Sequence, residues 1–290
     1  MKLKKLVPQD YLKYKKFFSQ QRYELCCYSL ASILAWSNQA YQPYGQVLDD
    51  CLIVGVEFKD PAKPNHLILP ICPDREYSPE ELHHLAIQTG YDAFQFVPDD
   101  YLKRYDSKSI AALFRVRPHP EYHDYVDRTE DLAGLKGNKY SKKRNLITQF
   151  KSEYITSGRV QVEKIHAEVT SECLDFLEEW CLARDCDRHP EEDLACEKIA
   201  AINVLENFEI MELKGLLIRV DGHVSAFGIA ALLTAHMGVL HFEKAFAGVK
   251  GLYQYFDRQC ARDLFRKRPF LNKESDMNIP GLAKAKKSYH

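Results

Sequence analysis

Asp127-Arg-Thr-Glu-Asp-Leu-Ala-Gly-Leu-Lys-Gly-Asn-Lys-Tyr-Ser-Lys-Lys-Arg-Asn-Leu-Ile-Thr-Gln-Phe150 carries the strongest structural signal in the chain. Wound as a helix over about 139–157, at roughly 100° per residue, it sets Tyr140, Lys143, Leu146, Ile147, Phe150 and Tyr154 along one face. Lys143 therefore points toward the core, one turn ahead of an apolar stripe. Arg144 lies at the edge of that stripe and Asn145 on the opposite side. A lone buried ammonium is costly unless something anionic meets it. The alternative is a Lys143 that snorkels into water from the first turn.

Gly158 breaks this helix and a strand is expected over 160–165. Thr170 or Ser171 caps a helix through Leu174, Leu177, Trp180 and Cys181, and another covers about 191–208. Two strands, 215–220 and 224–233, flank Asp221-Gly222, a strong hairpin turn signal. A third strand, 239–244, feeds a helix over about 251–267, then a short strand near Phe270. Upstream, residues 8–18 read as a helix. Residues 46–58 read as two strands joined at Asp49-Asp50, and 66–71 is an apolar run between prolines. Ser78-Pro79-Glu80-Glu81 has a cap, a first-turn proline and first-turn acids, so it starts a helix that ends at Gly90. A strand is expected over 94–97. Strands and helices interleave, so the fold class is mixed α/β (α+β).

At 290 residues the chain exceeds a comfortable single core, and two domains are expected, 1–157 including the basic helix and 158–290. Forty Lys+Arg against 41 Asp+Glu leave a net charge of −1, so no global field recruits nucleic acid or anionic membrane and any anion site must be local. The longest apolar runs, such as 226–235, reach about half the length of a membrane span, and no secretory signal follows Met1. Nine cysteines without regular spacing suit a reducing cytoplasm better than a disulfide framework. Cys181, Cys186, His189 and Cys196 are five, three and seven residues apart, unlike paired zinc ligands. Cys181 reads as a helix residue, and no metal site is expected.

Two further places could carry chemistry. In Val239-Leu-His-Phe-Glu-Lys244, simple alternation puts His241 and Glu243 on one face and Leu240, Phe242 and Lys244 on the other. An imidazole and a carboxylate so placed could share a substrate as general bases, or simply meet solvent. The next segment, Ala245-Phe-Ala-Gly-Val-Lys-Gly-Leu-Tyr-Gln254, runs from strand through Gly248, Lys250 and Gly251 into a helix. That order suits a phosphate cradle, although glycine is also the ordinary residue of a tight turn. Glu197, on the edge of its helix, reads as a solvated flank residue.

Three segments together resemble one family: Leu132 to Phe150 with Gly137, Tyr140 and Lys143-Arg144-Asn145; His241 to Tyr253 with Glu243-Lys244 and Gly251-Leu252-Tyr253-Gln254; and Asn272 to Tyr289 with Glu274, Asp276 and Gly281-Leu282. The pattern is similar to stand-alone bacterial proteins related to the C-terminal, cytosolic domain of phosphatidylglycerol lysyltransferase. The resemblance implies two tandem acyltransferase domains of the GCN5-related N-acetyltransferase (GNAT) type. It also implies relatives that move an aminoacyl group from charged tRNA to a lipid or cell-wall precursor. The chain lacks those relatives' membrane domain, and Ala226-Phe-Gly-Ile-Ala-Ala231 lacks their acid. The acetyl-CoA loop pattern is not reproduced around Gly248 and Gly251, so coenzyme A is a donor without a clear motif.

On this basis the expected activity is acyl or aminoacyl transfer to an amine or hydroxyl, from an acyl-CoA or a charged tRNA. Glu243 would be the base or amine-binding group, assisted by His241. Lys143, Arg144 and Lys250, with amides near Gly251, would hold donor phosphates. Asn145, Lys244 and Tyr253 would line the same donor site, and Asp276 would anchor a cationic group. Lys136, Lys139, Lys142 and Lys151 would form the wider positive surface that a tRNA needs. A second expectation, of another class, is a protein that kept the fold, lost catalysis and senses a small anionic metabolite or nucleotide. A nucleic-acid binder is disfavoured by the near-neutral charge.

Overall fold

A computed structural model describes residues 1–184 and 194–289. A four-stranded antiparallel sheet is built from β1 (Lys4–Lys5), β2 (Tyr41–Leu48), β3 (Cys51–Phe58) and β4 (His66–Leu67), in that order. β2 and β3 are joined by Asp49-Asp50, both with positive φ, which gives the primed turn whose twist matches a hairpin. Helices α1 (Tyr11–Phe18), α2 (Leu30–Ala35), α3 (Pro79–Thr89), α4 (Asp99–Leu102) and α5 (Ser107–Leu113) accompany this sheet. The start of α3 is as expected. Ser78 Oγ accepts from Glu81 N, Glu81 Oε2 accepts from Ser78 N, and Gly90 closes the helix in the left-handed region. The expected runs at 66–71 and 94–97 shrink to β4 and two isolated bridges, Leu52 with Ile71 and Leu67 with Phe94.

The second sheet has six strands in the order β5-β10-β9-β8-β7-β6. Its members are β5 (Val126–Arg128), β6 (Val160–Lys164), β7 (Lys214–Val220), β8 (His223–Leu232), β9 (Met237–Ala245) and β10 (Phe270–Asn272). All pairings are antiparallel except β9 with β10. Asp221-Gly222 makes the β7–β8 turn with φ of 53° and 82°. The basic helix is α7 (Ser141–Phe150), which runs on into a wider-wound turn over Lys151–Ile155. It follows α6 (Thr129–Gly134).

One face of the second sheet is covered by α6, α7 and α10 (Leu252–Asp263), with Leu132, Ile147 and Phe150 meeting Leu240, Leu252 and Phe256. The other face carries α8 (Thr170–Ala183) and α9 (Leu194–Glu206). There Phe176, Trp180 and Val204 join Phe227, Val239 and Phe242 in a core continuous with Leu52, Val54 and Leu67 of the first sheet. The two sheets thus share a core. Asn203 of α9 ties it further by donating to the carbonyls of Ala35 and Ser37, at 2.8 and 2.7 Å. The chain ends in α11 (Pro280–Lys287). β5, α6 and α7, expected with the first half of the chain, attach to the second sheet, because β5 hydrogen-bonds β10 and α6 and α7 pack on α10. The strands therefore change sheet before residue 126 and not after residue 157.

Cys51 and Cys72, both buried, are joined as a disulfide, a departure from the expectation of free thiols. Alignment of Leu52 with Ile71 brings their chain neighbours to bonding distance. Cys181 lies buried in α8, while Cys186 and His189 fall outside the described residues. Among the described residues no group of three or more His, Cys, Asp or Glu could hold a metal ion. Nor is any described helix long and apolar enough to cross a membrane.

Candidate functional site

The site forms where two parallel strands part. β9 and β10 pair at three positions, ending with Asn272 opposite Val239. Beyond Asn272 the chain stays bonded to its other neighbour, with Lys273 N donating to Tyr125 O and Tyr125 N to Glu274 O. The side chains of Lys273 and Glu274 occupy the wedge that opens toward β9.

A bulge in β9 decides what faces this wedge. Ile229 pairs with Phe242 and Ala230 with Leu240, so His241 is the extra residue. An extra residue reverses the alternation of all that follow it. Val239, Phe242 and Lys244 consequently share one face, while Leu240, Glu243 and Ala245 share the other. The expected pairing of His241 with Glu243 on one face does not occur.

His241 instead bonds at both ring nitrogens. Its Nδ1 is 2.8 Å from Glu274 Oε1, and its Nε2 is 3.1 Å from Ser29 Oγ, at the N-terminus of α2. Glu243 joins a buried polar cluster on the α10 side. Lys273 Nζ lies 3.0 Å from Glu243 Oε2 and 2.6 Å from Asp257 Oδ1 of α10. Burial and the neighbouring Asp257 carboxylate raise the pKa of Glu243 to about 7, against the lowering pull of Lys273. Burial alone would lower the pKa of Lys273, but Asp257 and Glu243 outweigh it and hold the ammonium charged.

Lys143 reaches the same cluster from α7. It is 9% exposed, so it is buried and does not snorkel. Its Nζ donates to Ser288 Oγ at 2.7 Å and sits 3.3 Å from the centre of the Tyr289 ring. Burial pulls its pKa down to about 8, partly offset by Asp257, Asp127 and Glu243. Tyr140, expected on the same helix face, donates its hydroxyl to Tyr289 O at 3.1 Å. Burial and the carboxylates of Asp257 and Glu243 hold the Tyr289 phenol well above its usual pKa. Lys286 of α11 donates to the carbonyls of Lys273, Glu274 and Ser275, which fixes the last segment over the wedge.

Two carboxylate oxygens in this cluster, Glu243 Oε1 and Asp257 Oδ2, are buried without a hydrogen-bond donor from the described residues. Buried acceptors are rarely left unmatched, since each costs roughly 1–3 kcal/mol.

The other expected residues divide between the site and elsewhere. Tyr253 is at its margin, where burial, with Glu243 close by, raises the phenol to about 12. Lys244 is on the opposite face, 2.6 Å from Glu197 and over the Trp180 ring at 4.3 Å; Glu197 is thus an ion-pair partner and not a solvated flank. Arg144 donates to the carbonyls of Leu135 and Gly137, both at 2.6 Å, and so clamps the turn before α7. Asn145 and Lys250 are exposed. Gly251 has φ of 81°, and a Cβ there would fall 2.2 Å from Leu146 O. That glycine is required by the close approach of α10 to α7. Asp276 accepts from the Tyr125 hydroxyl at 2.6 Å and from Asn278 N at 2.9 Å.

Ser29, Asp257 and Lys273 escaped the sequence reading, and Glu274 and Tyr289 were given no role by it. Asp257 left a trace: it is a charged residue on the same side of α10 as Cys260, three residues on. Lys273 and Ser29 sit in short segments without periodicity and left none.

Among curated proteins, none matches this chain. Solved structures do. A conserved protein of unknown function from Bacteroides thetaiotaomicron VPI-5482 is 26% identical with a TM-score of 0.87, over 99% of this chain and 95% of that one. The C-terminal domain (DUF2156) of a putative lysylphosphatidylglycerol synthetase from Agrobacterium fabrum is 12% identical with a TM-score of 0.67, over 97% and 88%. A tandem GNAT protein from the clavulanic acid biosynthesis pathway aligns at 7% identity and a TM-score of 0.46, over 99% and 93%. The mixed α/β fold class expected from the sequence is the one present. The family profile described as "Phosphatidylglycerol lysyltransferase, C-terminal" matches residues 28–290, and the chain belongs to that family.

Proposed function

We propose that the protein is an acyl- or aminoacyl-transferase acting on an amine or hydroxyl, with Glu243 as the group that receives the acceptor's proton. The observation that carries this is the pair of unmatched buried oxygens, Glu243 Oε1 and Asp257 Oδ2, beside Lys143 and Lys273. In their ionised form these oxygens only accept, which suits an N–H or O–H of a ligand. A carboxylic acid with a pKa near neutrality suits proton transfer at physiological pH. The cations of Lys143 and Lys273 would stabilise negative charge on the donor or on the reacting carbonyl. Membership of the lysyltransferase C-terminal family supports acyl-transfer chemistry in general. The Agrobacterium relative is a putative lysylphosphatidylglycerol synthetase, which makes a charged tRNA a donor to test beside acyl-CoA thioesters.

Within this reading the two GNAT-type units follow the sheets, with the break before β5. A cytoplasmic location goes with either donor, and the Cys51–Cys72 disulfide is the feature that argues the other way. The test is to screen acyl-CoA thioesters and charged tRNAs by thermal shift and then for product. Lys143→Ala should lose donor binding and Glu243→Gln should keep binding while losing turnover. Unchanged affinity in Lys143→Ala would count against the donor role.

One observation favours a second reading, a ligand sensor. The Lys143 ammonium is covered by the chain's own Ser288 and Tyr289, so a ligand that displaced them would move α11. Stabilisation by a ligand without product would support it.

A further inference from the structure

Ser29, His241 and Glu274 come from three distant parts of the chain and form one hydrogen-bonded row. The hydroxyl of Ser29 meets Nε2 of the imidazole at 3.1 Å, and Nδ1 meets the carboxylate at 2.8 Å. The order of groups and both distances are those of a nucleophile, a base and an orienting acid. We propose that Ser29 is a nucleophile that takes the acyl group covalently before its transfer, with His241 as its base and Glu274 as the positioning residue. The proposal rests on the acyl-transfer reading above.

The proton positions follow from the partners. A carboxylate only accepts, so Nδ1 carries the hydrogen and Nε2 is left with a free lone pair. Ser29 Oγ accepts from Ser32 N–H, which leaves its own O–H to point at Nε2. With both ring nitrogens committed, the proton that His241 is placed to take is the one on Ser29. Its role is therefore not to assist Glu243, which faces the other side of β9.

Three features separate this row from an ordinary buried hydrogen bond. His241 is the bulged residue of β9, and bulges re-aim side chains near functional sites. Glu274 holds a left-handed backbone with φ of 59°, a conformation costly for glutamate and kept where surrounding structure enforces it. Glu274 N donates to Asn272 Oδ1 at 2.7 Å and its carbonyl accepts from Tyr125 N and from Lys286, so that conformation is enforced from three sides. The row also spans both sheets' regions at the wedge where β9 and β10 part. Ser29 is 2% exposed, whereas the Glu274 side chain is the outermost member, at 19%.

The step balances without a further reagent. Ser29 Oγ forms a bond to the acyl carbon of an activated ester or thioester, and the bond from that carbon to the donor's oxygen or sulfur breaks. The Oγ proton passes to Nε2 and on to the leaving alcohol or thiol. In the second half the acceptor's amine or hydroxyl attacks the serine ester and passes its proton by way of His241 to Ser29 Oγ; in this two-step route His241, and not Glu243, receives the acceptor's proton.

The experiment uses the full chain and p-nitrophenyl acetate without acceptor, reading p-nitrophenol release and peptide mass. The expected result is a burst of about one equivalent and one acetyl group on the peptide that contains Ser29. Ser29→Ala should abolish both while the chain stays folded, its thermal midpoint lowered only by the loss of the α2 cap, and Ser29→Cys should restore labelling at the same peptide. Glu274→Gln should slow the burst by a factor on the order of 10⁴, as expected for an orienting acid. A wild type that is not acetylated on that peptide, or Ser29→Ala labelled equally, overturns the proposal. Transfer from an acyl-CoA or charged tRNA that survives in Ser29→Ala overturns it while leaving the transferase reading intact. Acetylation of Ser29 with no turnover of either donor does the reverse.

Discussion

Lys273 Nζ lies 3.0 Å from Glu243 Oε2, and this contact joins two strands at the point where they stop pairing. The same ammonium is 2.6 Å from Asp257, so one cation neutralises acids from β9 and α10. Replacing Lys273 by Met should cost about 3–5 kcal/mol, because it leaves two carboxylates buried without their cation. Urea unfolding measures it. A loss under about 1 kcal/mol would mean that water already solvates the cluster.

Stability should depend on pH in two windows of opposite sign. The Glu243 pKa is raised in the folded state, from 4.5 to about 7, so the folded form holds a proton that the unfolded form has lost. Stability contributed by this group is full below pH 4.5 and falls as pH rises to about 7. The Lys143 pKa is lowered from 10.5 to about 8, so above pH 8 the unfolded form binds more protons and stability rises toward pH 10.5. Glu243→Gln should flatten the first slope and Lys143→Met the second. Denaturation midpoints across pH read both, and parallel curves for wild type and variants would refute the assignment.

Gly251 and Gly248 should respond very differently to alanine. At Gly251 the added methyl meets Leu146 O at 2.2 Å on a left-handed backbone, and the loss should be at least about 2 kcal/mol. At Gly248 nothing lies within 4 Å, and the change should stay within about 0.5 kcal/mol. Equal effects in thermal melts would show that the α7–α10 contact is not what selects glycine.

The Cys51–Cys72 bond closes a loop of 21 residues, for which chain entropy gives about 3 kcal/mol. Unfolding with and without reductant should differ by that order. The Cys51→Ala, Cys72→Ala double variant should match the reduced wild type and be insensitive to reductant.

Much of the architecture was legible before any coordinates. Ser78 to Gly90, the Asp49-Asp50 and Asp221-Gly222 turns, and the helix around Lys143 follow from local rules of capping, left-handed backbone and apolar spacing, which a few neighbouring residues satisfy by themselves. That Lys143 would face the core was written in its place on the apolar face, but whether its ammonium would be buried or would snorkel into water was decided by the tertiary structure. The strand with His241 and Glu243 shows where such rules end. Strict alternation put both on one face, and a single bulged residue set by pairing with β8 separated them.

What the amino-acid order determined alone was the kind and place of most elements, and a lysine set on the apolar face of its helix. What only the tertiary structure decided was the company each charge keeps. Lys273 with Glu243 and Asp257, Tyr289 over Lys143, and Ser29 with His241 and Glu274 bring together segments that include some over 200 residues apart. Periodicity records which face of an element is buried. It carries no record of which distant element will cover that face, because that choice is made by the packing of the whole core.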